Sequence, residues 1–274
     1  MVSMAISNRA RSKLKILKSF SPGKHSVPLL VDIDGRKAVY KKSSVGKKLT
    51  LAEARSMVAA VKNYHSLLKK AGVRVSEIHS IHPAKDPTVL GEHYFVSSIE
   101  QYINKRNLAN IFSSSPRKKV LLTFRKMLVE IYKAAGHPGK GVRNKAGIMI
   151  DSKPQNYVLG KDGKVYFIDF YTPKLEDKSG RLYPYIERLH PTRSLGELQT
   201  RFQDKRAIFH VLLAYSIHER PDLRGEFEKA CADFLNKQGE FRVQKYLDLV
   251  AKRDYSPTNL VKRDIISKII SSKQ

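Results

Sequence analysis

Asp151, Lys153 and Asn156, followed thirteen residues later by Asp169, set a carboxylate, an ammonium, an amide and a second carboxylate at short intervals. Phosphoryl transfer from ATP needs such groups. A carboxylate receives the acceptor hydroxyl proton, oxygen ligands hold Mg²⁺, and a cation sits near the phosphates. Within Asp151-Ser152-Lys153-Pro154-Gln155-Asn156 the first three groups can reach one mouth of a loop. The chain from Tyr157 to Ile168 reads as strand, Asp162-Gly163 turn and strand, a hairpin that returns Asp169 beside Asn156. The alternative is a polar surface turn ahead of a hairpin, with Asp and Asn serving turn chemistry.

Several upstream elements would have to position these groups. Leu14 to Lys18 reads as a first strand, Val27 to Ile33 as a second, Asp34-Gly35 as a tight turn and Arg36 to Lys42 as the paired strand. Pro28 is tolerated there only near the strand start or on an edge. Alternation sends Lys41 and Lys42 to opposite faces, so one of them at most can serve an internal site. Lys41 is the candidate and Lys42 the alternative if the register slips by one. The alternative is two solvated lysines at a strand end.

Ser19 to Ser26 carries a single glycine, Gly23, which can turn backbone N–H groups toward phosphates or serve a plain hairpin loop. Thr50 reads as an N-cap with Glu53 at the capping-box position. Apolar residues at 51, 54, 58, 61, 67 and 68 then predict a long helix ending at Ala71-Gly72. His93 to Glu100 reads as a mostly apolar strand leading into a connector. Downstream, a breaker-rich segment over residues 110–119 separates two helices, the second running from Val120 to Ala135. Further helices are predicted over 201–217, 223–236 and 260–270.

The residues 151–169 resemble the protein-kinase-like superfamily, in its catalytic-loop pattern H-R-D-L-K-P-x-N and its D-F-G pattern. Asp151, Lys153, Pro154, Asn156 and Asp169 match those patterns. Met149 and Ile150 replace the His and Arg, Tyr171 replaces the Gly, and no Ala-Pro-Glu follows. This looks closest to the aminoglycoside phosphotransferase, choline kinase and RIO-like branches, rather than to regulated protein kinases. The resemblance implies Asp151 and Lys153 as catalytic residues and Asn156 and Asp169 as Mg²⁺ ligands. Ala38-Val39-Tyr40-Lys41 resembles V-A-I-K, which implies that Lys41 meets the α- and β-phosphates of ATP. A helix Glu that holds this lysine is implied too, and Glu53 is the sole candidate between Asp34 and Glu77, though its capping role competes. Gly23 would lie in the nucleotide-covering loop, and the backbone of Ser98 to Glu100 would pair with adenine.

The fold so implied is α+β and two-lobed. A small lobe of sheet and helix spans residues 1–100, and a mainly helical lobe spans 101–274. At 274 residues and 41% apolar content the chain can bury a core of that size. No run of eighteen apolar residues is present, so no membrane-spanning segment is expected. One cysteine, Cys231, precludes an internal disulfide, which makes a reducing, cytoplasmic setting the default.

Charge narrows the acceptor. Fifty-two Lys and Arg oppose 25 Asp and Glu, a net +27. Residues 1–150 hold 29 basic and 8 acidic side chains, residues 151–274 hold 23 and 17, and no acid precedes Asp32. Such a field draws anions and argues against a cationic aminoglycoside. The expectation is a kinase with an anionic hydroxyl acceptor and a possible nucleic-acid or anionic-surface partner. The alternative is a catalytically idle kinase-like module that binds RNA or another polyanion. Arg9, Arg11, Lys13 and Lys15, then Arg117, Lys118 and Lys119, are the candidate contacts.

Overall fold

A computed structural model describes residues 14–20, 26–43, 49–87, 91–104, 106–136, 145–170 and 202–251. The chain is α+β. Its first compact unit comprises described residues within 14–66 and 76–102, and its second those within 67–75, 103–170 and 202–251.

In the first unit, β1 (Leu14–Ser19), β2 (Ser26–Ile33), β3 (Arg36–Ser43), β4 (Ile78–Lys85) and β5 (Tyr94–Gln101) form an antiparallel sheet of order β1-β2-β3-β5-β4. Asp34 and Gly35 close the β2–β3 hairpin with φ of 53° and 79°, the left-handed pair that a two-residue turn demands. Asp32 supports it by accepting the Gly35 N–H at 2.8 Å. Pro28 lies near the start of β2, just past the end of the β1 ladder. β4 goes unread in the sequence because Ile-His-Ser-Ile-His-Pro-Ala-Lys has few apolar residues and a proline. Its edge position is what admits Pro83.

Helix α1 (Leu51–Lys70) starts from a closed capping box. The Glu53 carboxylate accepts the Thr50 N–H at 2.8 Å and Thr50 Oγ1 accepts the Glu53 N–H at 3.2 Å. It buries Ala54, Met57, Val58, Val61, Tyr64 and Leu68, a stripe of helical period. It stops at Gly72 (φ 76°), where the Val73 N–H returns to the Leu68 carbonyl at 3.0 Å.

The second unit contains α2 (Leu108–Ser114), α3 (Arg117–Ala135), the hairpin β6 (Tyr157–Leu159) and β7 (Val165–Phe167), and then α4 (Lys205–Glu219), α5 (Arg224–Lys237) and α6 (Phe241–Ala251). The breaker-rich reading of residues 110–119 needs correction. Asn107 caps α2 and buried Ile111 and Phe112 hold it, so helix continues through Ser114 and only Ser115-Pro116 interrupts. Phe112, Phe124 and Phe227 pack as tilted pairs with centroids 4.6–6.3 Å apart, and Cys231, four residues beyond Phe227 on α5, is fully buried. No described helix is long and apolar enough to cross a membrane. Residues 1–13, the loop with Gly23, 137–144, 171–201 and the helix expected over 260–270 lie outside the described residues.

Candidate functional site

The hairpin that carries Asn156 and leads to Asp169 is anchored on both edges. Tyr157 pairs with Phe167 and Leu159 with Val165, and the Ile168 N–H extends the ladder to the Asn156 carbonyl at 2.9 Å. That register brings Asp169 back alongside the Gln155-Asn156 segment, as the hairpin reading requires. On one side the Phe167 N–H donates to the Arg74 carbonyl at 2.8 Å. On the other, Asn104 Nδ2 donates to the Leu159 carbonyl at 2.9 Å. The Arg74 segment is fixed in turn by Glu130, 1% exposed, which accepts the Arg74 N–H, its guanidinium and the Lys133 ammonium. Lys126 Nζ pins the turn through the Gly163 carbonyl at 2.6 Å.

The preceding loop is held as firmly. Ile148 N–H donates to the Ala134 carbonyl, Ile150 N–H to the Phe202 carbonyl, and Ser152 Oγ to the Ile208 carbonyl at 2.5 Å. Pro154 opens a short 3₁₀ turn over Pro154–Asn156, where its fixed φ suits the first helical position and its missing N–H costs nothing. The Asn156 N–H then closes on the Lys153 carbonyl at 3.0 Å. A lysine and an asparagine three residues apart are thereby set by backbone geometry alone.

Asp151 is 3% exposed. Its Oδ2 meets the Lys153 ammonium at 3.4 Å, and its Oδ1 is buried without a hydrogen-bond partner among the described residues. Buried carboxylate oxygens are seldom left so, since the unmade bond costs about 1–3 kcal/mol or more. Among the described residues the buried Nδ2 of Asn156 has no hydrogen-bond partner either. A half-turn of that amide would present its oxygen at the same point. Tyr157 lies fully buried beneath, and burial, then the charges of Asp151, Glu130 and Asp169, hold its phenol well above the ordinary tyrosine range. Phe167 packs against it as a tilted pair at 5.1 Å and meets Phe170 edge-on at 5.9 Å, with Phe170 next to Asp169 in the chain.

Among the described residues no group of three or more His, Cys, Asp or Glu is placed to hold a metal ion. The two residues expected to hold a metal, Asp169 and Asn156, carry one carboxylate and one amide oxygen. That set suits a hard cation that takes its remaining ligands from water or phosphate. Chemically, the arrangement offers an under-hydrogen-bonded buried carboxylate, a neighbouring ammonium and two hard oxygens.

In the first unit, Lys41 and Lys42 diverge as strand alternation requires. Lys41, 8% exposed, pairs with Glu100 at 2.8 Å. Lys42 pairs with Asp86 at 3.0 Å and lies over the Phe95 ring at 4.4 Å. Glu100 and Ser98 act here through side chains, with Ser98 Oγ donating to Glu100 Oε1 at 2.9 Å. Reading their backbone as a base-binding connector is corrected by the sheet. β5 is laddered to β3 on one side and β4 on the other across Ser98–Glu100, so those backbone groups are committed. Glu53 takes its capping role at Thr50, and Glu100 is the acid whose contact with Lys41 sequence reasoning missed. The signal was available: with β3 beside β5, Val39, Lys41, Ser98 and Glu100 fall on one sheet face. Of the basic candidates, Lys118 and Lys119 are exposed in the first turn of α3, whereas Arg117 pairs with Glu226 at 2.7 Å. Arg9, Arg11 and Lys13 lie outside the described residues, and Lys15 is exposed on β1.

No family model matches the chain, and no curated protein matches it in sequence.

Proposed function

We propose that this chain is a Mg²⁺- and ATP-dependent phosphotransferase of the protein-kinase-like type, acting on the hydroxyl of an anionic acceptor. The observation that carries the reading is the unpartnered, buried Oδ1 of Asp151 beside Lys153, on a loop whose hairpin also brings Asn156 and Asp169 together. In this reading the Asp151 carboxylate takes the hydroxyl proton as the acceptor oxygen bonds to the γ-phosphorus. The bond from that phosphorus to the bridging oxygen breaks, and its electron pair stays on the ADP leaving group. Lys153 offsets charge on the transferring group. Asn156 and Asp169 would hold Mg²⁺, which supplies charge neutralisation at the phosphates when bound.

Lys41, oriented by its 2.8 Å ion pair with Glu100, is the phosphate-binding lysine of the first unit in this proposal. The two compact units are read as the small and large lobes of such a fold. The excess of 29 basic over 8 acidic residues in the first 150 favours an anionic acceptor, and a cytoplasmic setting goes with the single, fully buried Cys231.

Nucleotide-induced thermal shift with and without Mg²⁺ tests the reading. ATP at about 100 times its dissociation constant adds roughly 2.7 kcal/mol of stability. A flat response would favour an idle module that binds polyanions.

A further inference from the structure

Tyr215 lies on α4 seven residues beyond Ile208, two helical turns along the same face. Those two positions meet consecutive residues of the loop. The Ile208 carbonyl accepts the Ser152 hydroxyl at 2.5 Å, and the Tyr215 ring lies 5.6 Å from the Lys153 ammonium. The helix beneath is packed into the core, with Ala207, Phe209, Leu212, Leu213 and Ala214 buried. Lys153 itself is 28% exposed along its side chain and has four rotatable bonds, so the 3.4 Å ion pair with Asp151 does not by itself fix it.

We propose that Tyr215 is a positioning residue: its ring carries the Lys153 ammonium and keeps it against Asp151, within reach of an incoming phosphate. This rests on the phosphotransferase reading of the loop. The ring face attracts the cation through its quadrupole, which at a partly exposed site favours the ordered ammonium by roughly 2- to 30-fold. The hydroxyl of Tyr215 has no part in this, so phenylalanine should serve as well.

Tyr215→Phe and Tyr215→Leu in the full chain test the proposal in two ways. Lysines are reductively ¹³C-methylated and the Lys153 signal is identified by its loss in Lys153→Arg. An upfield position is expected in the native chain and in Tyr215→Phe, with a return to the ordinary lysine position in Tyr215→Leu. On unmodified protein, single-turnover consumption of [γ-³²P]ATP with Mg²⁺ should stay within about twofold for Tyr215→Phe. It should fall roughly tenfold for Tyr215→Leu at unchanged ATP affinity. Tyr215→Leu should add nothing in a Lys153→Met background, because the ring acts only through that lysine. An unmoved Lys153 signal in Tyr215→Leu overturns the proposal. So does a loss of equal size in the Lys153→Met background, which marks a purely structural role. Absence of Mg²⁺-dependent ATP consumption in the native chain overturns the phosphotransferase reading and Tyr215's role with it, even where the methyl signal records the ring contact.

Discussion

Lys41 and Glu100 close a buried ion pair of 2.8 Å on the sheet face shared by β3 and β5, and Ser98 Oγ completes it by donating to the other carboxylate oxygen at 2.9 Å. The acid comes from a neighbouring strand, so the lysine is oriented by the same ladder that carries it. In the proposed phosphotransferase, this would make the phosphate lysine a fixed part of the sheet.

Breaking that pair should be expensive. Glu100→Ala should cost roughly 3–5 kcal/mol in chemical denaturation, whereas Lys41→Met combined with Glu100→Leu should cost far less. Glu53→Ala removes only the capping box and should cost about 1 kcal/mol. A Glu100→Ala penalty no larger than that of Glu53→Ala would mean the pair contributes little.

Asp151→Asn preserves the size of the buried side chain but removes its charge and its ability to take a proton. Turnover should fall by roughly 10² or more with ATP affinity little changed. Loss of affinity in step with rate, read by calorimetry beside single-turnover kinetics, would make Asp151 a structural residue.

The parts of this arrangement that sequence reveals are those set by local rules. The Asp34-Gly35 and Asp162-Gly163 turns, the Thr50/Glu53 cap and the glycine stop at Gly72 each follow from backbone preferences within a few residues. The 3₁₀ turn at Pro154–Asn156 goes unread, although Pro at the first position of such a turn is a local preference too. What stays hidden depends on partners far along the chain. Glu100 meets Lys41 across 59 residues, Arg74 meets Glu130 across 56, and Tyr215 meets Lys153 by helix packing. β4 is hidden for a different reason: an edge strand tolerates the proline and polar residues that disqualify an inner one.

His210, 3% exposed on α4, has its pKa lowered to about 4 by burial, against 6.5 for a free imidazole. The folded chain therefore resists a proton that the unfolded chain accepts. Stability should be full above about pH 6.5, fall as pH drops toward 4, and lose no more to this group below that. The loss should reach on the order of 3 kcal/mol. His210→Phe should flatten this part of a denaturant-midpoint profile measured from pH 7.5 to 4.

A polyanionic acceptor should bind with steep salt dependence, a log–log slope of about −0.7 to −0.9 per phosphate neutralised. Lys118→Gln with Lys119→Gln should lower that slope if the exposed start of α3 touches phosphate, leaving ATP binding unchanged. A shallow dependence without heparin competition points instead to a small anionic acceptor.

Single-turnover consumption of [γ-³²P]ATP, compared between the native chain and Asp169→Ala, with Mg²⁺ or with EDTA, tests the central claim most directly. The account predicts phosphate release or transfer by the native chain only with Mg²⁺, and none by Asp169→Ala despite unchanged helix content by circular dichroism. Equal turnover by the two proteins, or turnover indifferent to Mg²⁺, would contradict it.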